Sequence, residues 1–76
     1  AIHRALQHIK KNYNSKNAVR LQTEATQLLQ ASGFRVDYVF IADAGTLQPA
    51  SSDTKEAVAL IAASLGGVRL IDNMRL

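Results

Sequence analysis

The strongest constraint on the fold is a change of hydrophobic period near Gly33. Up to Leu29 the apolar residues recur every three or four positions; from Val36 onward they alternate or run together. Ile2, Ala5, Leu6, Ile9 and Tyr13 fall at i, i+3, i+4, i+7 and i+11, one stripe of an amphipathic helix. Ala18, Leu21, Ala25, Leu28 and Leu29 make a second stripe, with Arg20, Gln22, Glu24, Gln27 and Gln30 expected to face outward. Asn12-Tyr13-Asn14-Ser15-Lys16-Asn17 between them is rich in turn formers and capping residues, so a helical hairpin is predicted. Gly33 stands where a left-handed helix cap is expected, a conformation glycine adopts without strain. The first stripe starts at once, with no Ser, Thr, Asp or Asn ahead to satisfy the exposed N–H groups. The expectation is a segment cut from a longer polypeptide.

After Gly33 the chain reads as strands. Arg35 to Ala42 is rich in β-branched and aromatic residues. Strict alternation sends Val36, Tyr38 and Phe40 to one face and Val39 and Ile41 to the other. Apolar character on both faces predicts a central strand, or one covered on both sides. Tyr38 and Phe40, sharing an apolar face with Val36, read as core rather than as a platform for stacked bases. Asp43 to Pro49 reads as a turn or loop, with Pro49 stopping any ladder, and Ser51-Ser52-Asp53 continues it. Thr54 to Leu65 fits a helix by its alanines and the capping-type Asp53. It fits a strand equally by alternation, and periodicity does not separate the two. Gly66-Gly67 followed by Val68-Arg69-Leu70-Ile71-Asp72-Asn73 tips the balance slightly toward a β-hairpin.

With 76 residues the chain has room for one small domain, residues 1–76. Zero cysteines exclude disulfides, thiolate metal sites and a cysteine nucleophile. The longest apolar run, Ala57–Ala63, falls far short of the ~20 residues that span a bilayer, and no signal peptide is seen. Charge is uneven. Arg4, Lys10, Lys11, Lys16, Arg20 and Arg35 face only Glu24 in residues 1–35, a net +5. Lys55, Arg69 and Arg75 face Asp37, Asp43, Asp53, Glu56 and Asp72 in the remainder, a net −2. A positive half suits an anionic partner, although scattered cations more often form a solvated face.

No self-sufficient active site is legible. His3 and His8 are five apart, which on a helix turns them about 140° from each other and denies them a shared metal. Gly66-Gly67 lacks the spacing and the Lys-Ser/Thr of a phosphate loop. Ser51, Ser52 and Ser64 have no histidine near them in sequence. Asp37, Asp43, Asp53 and Asp72 are expected to cap turns or meet an arginine. No catalytic, cofactor-binding or metal-ligating residue is assigned.

An ordered pattern nonetheless runs from Val36 to Asn73. Val36-Asp37-Tyr38-Val39-x-Ile41-x-Asp43-Ala44-x-Thr46-Leu47-x-Pro49, then Ala57-Val58-x-Leu60-Ile61-Ala62-Ala63, then Leu65-Gly66-x-x-Arg69-Leu70-Ile71-Asp72-Asn73, resembles the C-terminal domain of the pantothenate synthetase (pantoate–β-alanine ligase) family. Two positions depart from the family pattern: Phe40 stands where an acidic residue is usual, and Gly45 where a larger one is. The resemblance implies that the Ala57–Ala63 region is a strand paired with Arg69–Asn73. The implied fold is α+β, an N-terminal helical hairpin packed on a small antiparallel sheet of about three strands. It also implies a lid domain of an ATP-dependent ligase. In that reaction pantoate and ATP form pantoyl adenylate and pyrophosphate; β-alanine then displaces AMP to give pantothenate.

The nucleotide-binding catalytic domain, with its His-x-Gly-His motif, has no counterpart in these 76 residues. This segment is therefore expected to be inactive alone and to bind neither ATP nor Mg2+, both of which the resemblance implies for the intact enzyme. The implied partners are the catalytic domain of the same chain, the three substrates, and a second copy in a cytoplasmic homodimer. Neither a membrane nor nucleic acid is an expected partner. Lys10, Lys11 and Lys16 are candidates to lie near the ATP phosphates. Arg69 and Asp72 either cross a domain interface or make a local ion pair or turn bond that fixes the hairpin, the local role being favoured. The rival from another class is a stand-alone basic binding module, for nucleic acid or a protein.

Overall fold

The computed structural model describes residues 2–14, 16–51 and 53–76. The uncapped start at Ala1, Ser15 in the interhelical turn and Ser52 in the later loop lie outside the described residues. Two helices, α1 (Ile2–Asn12) and α2 (Ala18–Ala31), precede three strands, β1 (Arg35–Asp43), β2 (Ala57–Leu65) and β3 (Val68–Arg75). The strands form one antiparallel sheet in the order β1-β2-β3, and the helices lie on one of its faces. This is the α+β arrangement that the resemblance implies.

The helices form where their stripes can be buried. Ile2, Ala5, Leu6 and Ile9 of α1 and Leu21, Ala25 and Leu29 of α2 are in the core, with Tyr13 and Ala18 packed at its margin. Leu28 is a correction: the expected face includes it, yet it is 44% exposed. Gln22 is a second, since its side chain turns to the sheet rather than outward. The interhelical turn is closed by Asn17. Its amide donates to the Asn12 carbonyl at 2.7 Å and accepts from the Asn14 N–H at 2.8 Å. At the other end of α2, Gly33 adopts φ +91°. Its N–H donates to Gln30 O and the Phe34 N–H to Leu29 O, each at 3.0 Å, the paired bonds of a Schellman cap. Phe34, 8% exposed, then enters the same core as Leu29.

The ambiguous segment is a strand, β2. Gly66 (φ +58°) and Gly67 (φ +82°) make a two-residue turn with positive φ at both positions, which matches strand twist and sets Leu65 opposite Val68. Once β3 and β1 both hydrogen-bond to it, β2 satisfies its backbone on two sides, and helix propensity loses to that pairing. β1, expected to be central or covered on both sides, is an edge strand, because β2 takes the middle. Its outer edge is blocked at Ile41, whose N–H donates to Gln22 Oε1 (2.8 Å) and whose carbonyl accepts from Ala50 N–H (3.0 Å). Pro49 does not end pairing outright: it makes an isolated bridge to Ala42.

Register decides which side chains face the helices, since cross-strand partners share a face. Val39 pairs with Ile61 and Ile41 with Ala59; on β3, Asp72 and Met74 oppose the same two β2 residues. All but Asp72 contribute to the helix-side core or pack against it. A bulge between Val36 and Tyr38 breaks the alternation. Val36 pairs with Ala63 and packs on the core with Val39, so it does not share a face with Tyr38 and Phe40 as strict alternation requires.

Candidate docking face

The opposite face of the sheet is built from the residues left over by that register. β1 contributes Tyr38, Phe40 and Ala42; β2 contributes Val58, Leu60, Ala62 and Ser64; β3 contributes Arg69, Ile71, Asn73 and Arg75. Phe40 lies opposite Leu60, and Ile71 opposite Ala62. Among the described residues no helix covers them, and Ala42 and Ala62 are buried by their strand neighbours alone. Tyr38 is 42% and Ile71 63% exposed, and Phe40 and Leu60 are half-buried by their neighbours. The reading of Tyr38 and Phe40 as core is thus corrected: they sit on the bare side.

An ion pair closes each end of this apolar strip. Arg69 Nε donates to Asp37 Oδ2 at 2.9 Å. Arg69 opposes Ser64, and Ser64 opposes Arg35, so the guanidinium reaches over a small β2 residue to the bulged carboxylate of β1. At the other end Arg75 Nη1 meets Glu56 Oε2 at 3.2 Å. Both pairs are well exposed, and pairs of that kind contribute about 1 kcal/mol or less. Arg69 pairs within the domain, as favoured, but the pair ties β3 to β1 across the sheet, 32 residues apart, and does not fix the β2–β3 hairpin. The partner of Arg69 is Asp37, not Asp72, whose carboxylate accepts from the Asn73 N–H at 2.8 Å.

Several of the remaining polar candidates have structural partners. Asp43 Oδ1 accepts from the N–H groups of Gly45 (2.8 Å) and Thr46 (3.2 Å), a turn in which a Cβ on Gly45 would stand 3.3 Å from that oxygen. The same turn holds Leu47 at φ +60°, left-handed for a residue with a side chain, and leaves it exposed. Ser51 Oγ accepts from the Asp53 N–H. His8 Nε2 contacts Glu24 Oε1 at 3.0 Å, and Arg20 joins the same carboxylate at 3.5 Å, tying α1 to α2. His3 is exposed on α1. A groove of about 340 Å³ between the helices is lined by His8, Glu24, Gln27, Leu28 and Ala31.

Lys10 and Lys11 are exposed in the last turn of α1, where cations meet the negative end of the helix dipole. Lys16 is exposed in the turn beyond. Among the described residues no three His, Asp or Glu side chains converge to hold a metal, so no step is assigned to Mg2+ here. No helix of the described residues is long and apolar enough to cross a membrane.

The bulge, the Gln22–Ile41 bond and the His8–Glu24 contact are what sequence reasoning missed. The bulge has a faint signal in Asp37 interrupting an apolar strand; the other two join residues 16 or 19 apart, with no local signature.

The sequence model of the family Pantoate-beta-alanine ligase matches residues 1–75. The pantothenate synthetase of Pseudomonas putida is 40% identical across the whole of this chain, which is 27% of the relative. That of Stenotrophomonas maltophilia is 43% identical over 96% of this chain and 26% of the relative. That of Alcanivorax borkumensis is 44% identical over 80% of this chain and 21% of the relative. The chain spans about a fifth to a quarter of the length of the curated relatives it matches.

Proposed function

Because this chain belongs to the pantoate–β-alanine ligase family, we propose that it is the C-terminal lid of such an enzyme, residues 1–76 forming one domain that closes over a catalytic domain carried by the rest of the polypeptide. The observation that carries this reading is the match along nearly the whole chain to about a quarter of each relative. A segment of that size, only about a quarter of each relative, fits an accessory part better than a whole enzyme.

In this reading pantoate and ATP form pantoyl adenylate with release of pyrophosphate, and the amine of β-alanine then displaces AMP. An acyl adenylate is a mixed anhydride that water destroys. The work of this chain is to exclude that water until the amine arrives. Its two layers suit that role, because the helical hairpin stiffens the sheet. Lys10, Lys11 and Lys16 supply exposed positive charge that can meet the phosphates of ATP. The absence of cysteine is in keeping with a cytoplasmic setting.

A chimera tests the reading. Residues 1–76 replace the matching segment of the Pseudomonas putida pantothenate synthetase, and AMP and pantothenate are both counted. The chimera should yield them in equal amounts, while the same enzyme lacking the segment should release AMP in several-fold excess through hydrolysis of the adenylate. Equal yields from the truncated enzyme, or the same excess of AMP from the chimera, would defeat the proposal.

A further inference from the structure

The two outer edges of the sheet are treated differently. The edge of β1 is met at Ile41 by Gln22 and Ala50. Among the described residues β3 has no strand beyond it, and all of its residues but Met74 are exposed. A free edge of eight residues is a template on which another strand can pair.

Turn geometry decides which backbone groups of β3 face outward. Leu65 and Val68 flank the Gly66-Gly67 turn, and the pair flanking a two-residue turn of this kind exchanges hydrogen bonds between its strands. Bonding then alternates. Val68, Leu70, Asp72 and Met74 turn their N–H and C=O groups to β2, while Arg69, Ile71 and Asn73 turn theirs to the outside. The Leu76 N–H keeps the same phase, donating to the Ala57 carbonyl at 3.0 Å. The outward N–H of Asn73 is occupied: it donates to Asp72 Oδ1 at 2.8 Å. Among the described residues the outward N–H groups of Arg69 and Ile71 meet no side-chain acceptor.

A second copy of this strand fits the edge in one register. Two copies of β3 run antiparallel about a two-fold axis perpendicular to the sheet, which keeps helix side beside helix side. Facing residues must share a side, so the two registers of longest overlap set either Ile71 or Asp72 opposite itself. The second also sets Arg69 opposite Arg75, so like charges face each other throughout. The first has no such clash: Arg69 faces Asn73, and Leu70 faces Asp72. In that register the Asn73 N–H of each copy has to donate to the Arg69 carbonyl of the other, and this is the N–H that Asp72 holds.

We propose that Asp72 keeps the outer edge of β3 closed to pairing with a second copy of this chain, by occupying the Asn73 N–H that the pairing requires. The inference is independent of the lid reading, because it concerns what keeps copies apart and not what the domain covers.

The test reads the size of the chimera carrying residues 1–76 by sedimentation velocity across a concentration series. Asp72 is exposed, so its replacement leaves the core untouched. Asp72→Ala frees the Asn73 N–H, and the mass should rise with concentration to at least about twice that of the unsubstituted chimera. Asp72→Asn keeps an oxygen able to accept the same bond and should stay near the unsubstituted size. Asn73→Pro removes the N–H at an outward-facing edge position, where proline is tolerated. Added to Asp72→Ala, it should restore the unsubstituted size.

An Asp72→Ala chimera that keeps the unsubstituted size throughout overturns the inference. So does association that survives Asn73→Pro, which assigns the contact to another surface. Association of Asp72→Asn as strong as that of Asp72→Ala makes charge the barrier instead of the bond, and overturns it too. A second readout does not depend on size. In dilute samples whose circular dichroism matches the unsubstituted chimera, exchange of the Asn73 amide should be several-fold faster in Asp72→Ala, and equal exchange defeats the inference.

Discussion

The two faces of the sheet are made of nearly the same residue types and live in different surroundings. On the helix side Ile41, Ala59, Ile61 and Ala63 are at 0–1% exposure. On the other side the large Tyr38 and Ile71 are at 42% and 63%, and only the small Ala42 and Ala62 between their neighbours are at 0%. Composition therefore does not decide which face is core; register does, through the Val39–Ile61 and Ile41–Ala59 pairs that point toward α1 and α2. The lesson is that apolar residues in strands report a need for cover, and the element that supplies it can lie in another part of a longer polypeptide.

The comparison breaks first if the two faces contribute alike to folding. Ile61→Ala removes a fully buried side chain and should destabilise this domain by about 2–5 kcal/mol, whereas Ile71→Ala should cost about 0.5 kcal/mol or less, read by urea unfolding. Equal costs would mean that the bare face is covered within the chain itself.

A smaller effect is expected where the helix layer meets the sheet edge. Gln22→Ala leaves the Ile41 N–H without its 2.8 Å acceptor and should cost about 1–3 kcal/mol, while Gln30→Ala on the exposed side of α2 should be close to neutral. Hydrogen exchange at the Ile41 amide, faster in the first variant only, distinguishes loss of this bond from a general loosening.

The smallest effect belongs to the rim. Arg69→Ala and Asp37→Ala should each cost about 1 kcal/mol or less, with a double-mutant coupling inside the same limit, because both groups stay well hydrated. A larger coupling would show the pair to be part of the frame that fixes β1 against β3.

Much of the architecture is legible in the sequence for a physical reason. The helix stripes at Ile2–Ile9 and Leu21–Leu29 are local periodicities, and the glycines at 33, 66 and 67 mark backbone conformations that other residues adopt only with strain. β2 is half-legible: its alanine-rich run supports two secondary structures, and only pairing to strands on both sides selects one. The position of β1 is misleading, because apolar residues on both faces announce a central or doubly covered strand, while among the described residues it lies at the sheet edge with helices on one face. Leu28 and Gln22 depart from expectation for a related reason. A helical stripe fixes an angle around the axis but not where the neighbouring elements stand: Leu28 borders the open groove toward α1 and stays wet, while Gln22 reaches the edge of β1. The ion pairs join residues 19 and 32 apart, and nothing in their immediate neighbours encodes them.

The extra residue in β1 has a mechanical corollary. It works as a phase slip: ahead of it the strand is in step with the helices at Val36, and after it in step again at Val39, a spacing that unbroken alternation forbids. A chain one residue shorter here would turn Val36 out of the core, withdraw the Asp37 carboxylate from Arg69, or exchange the inner and outer sets for the remainder of the strand. Substitutions can be absorbed along this stretch, but its length is quantised.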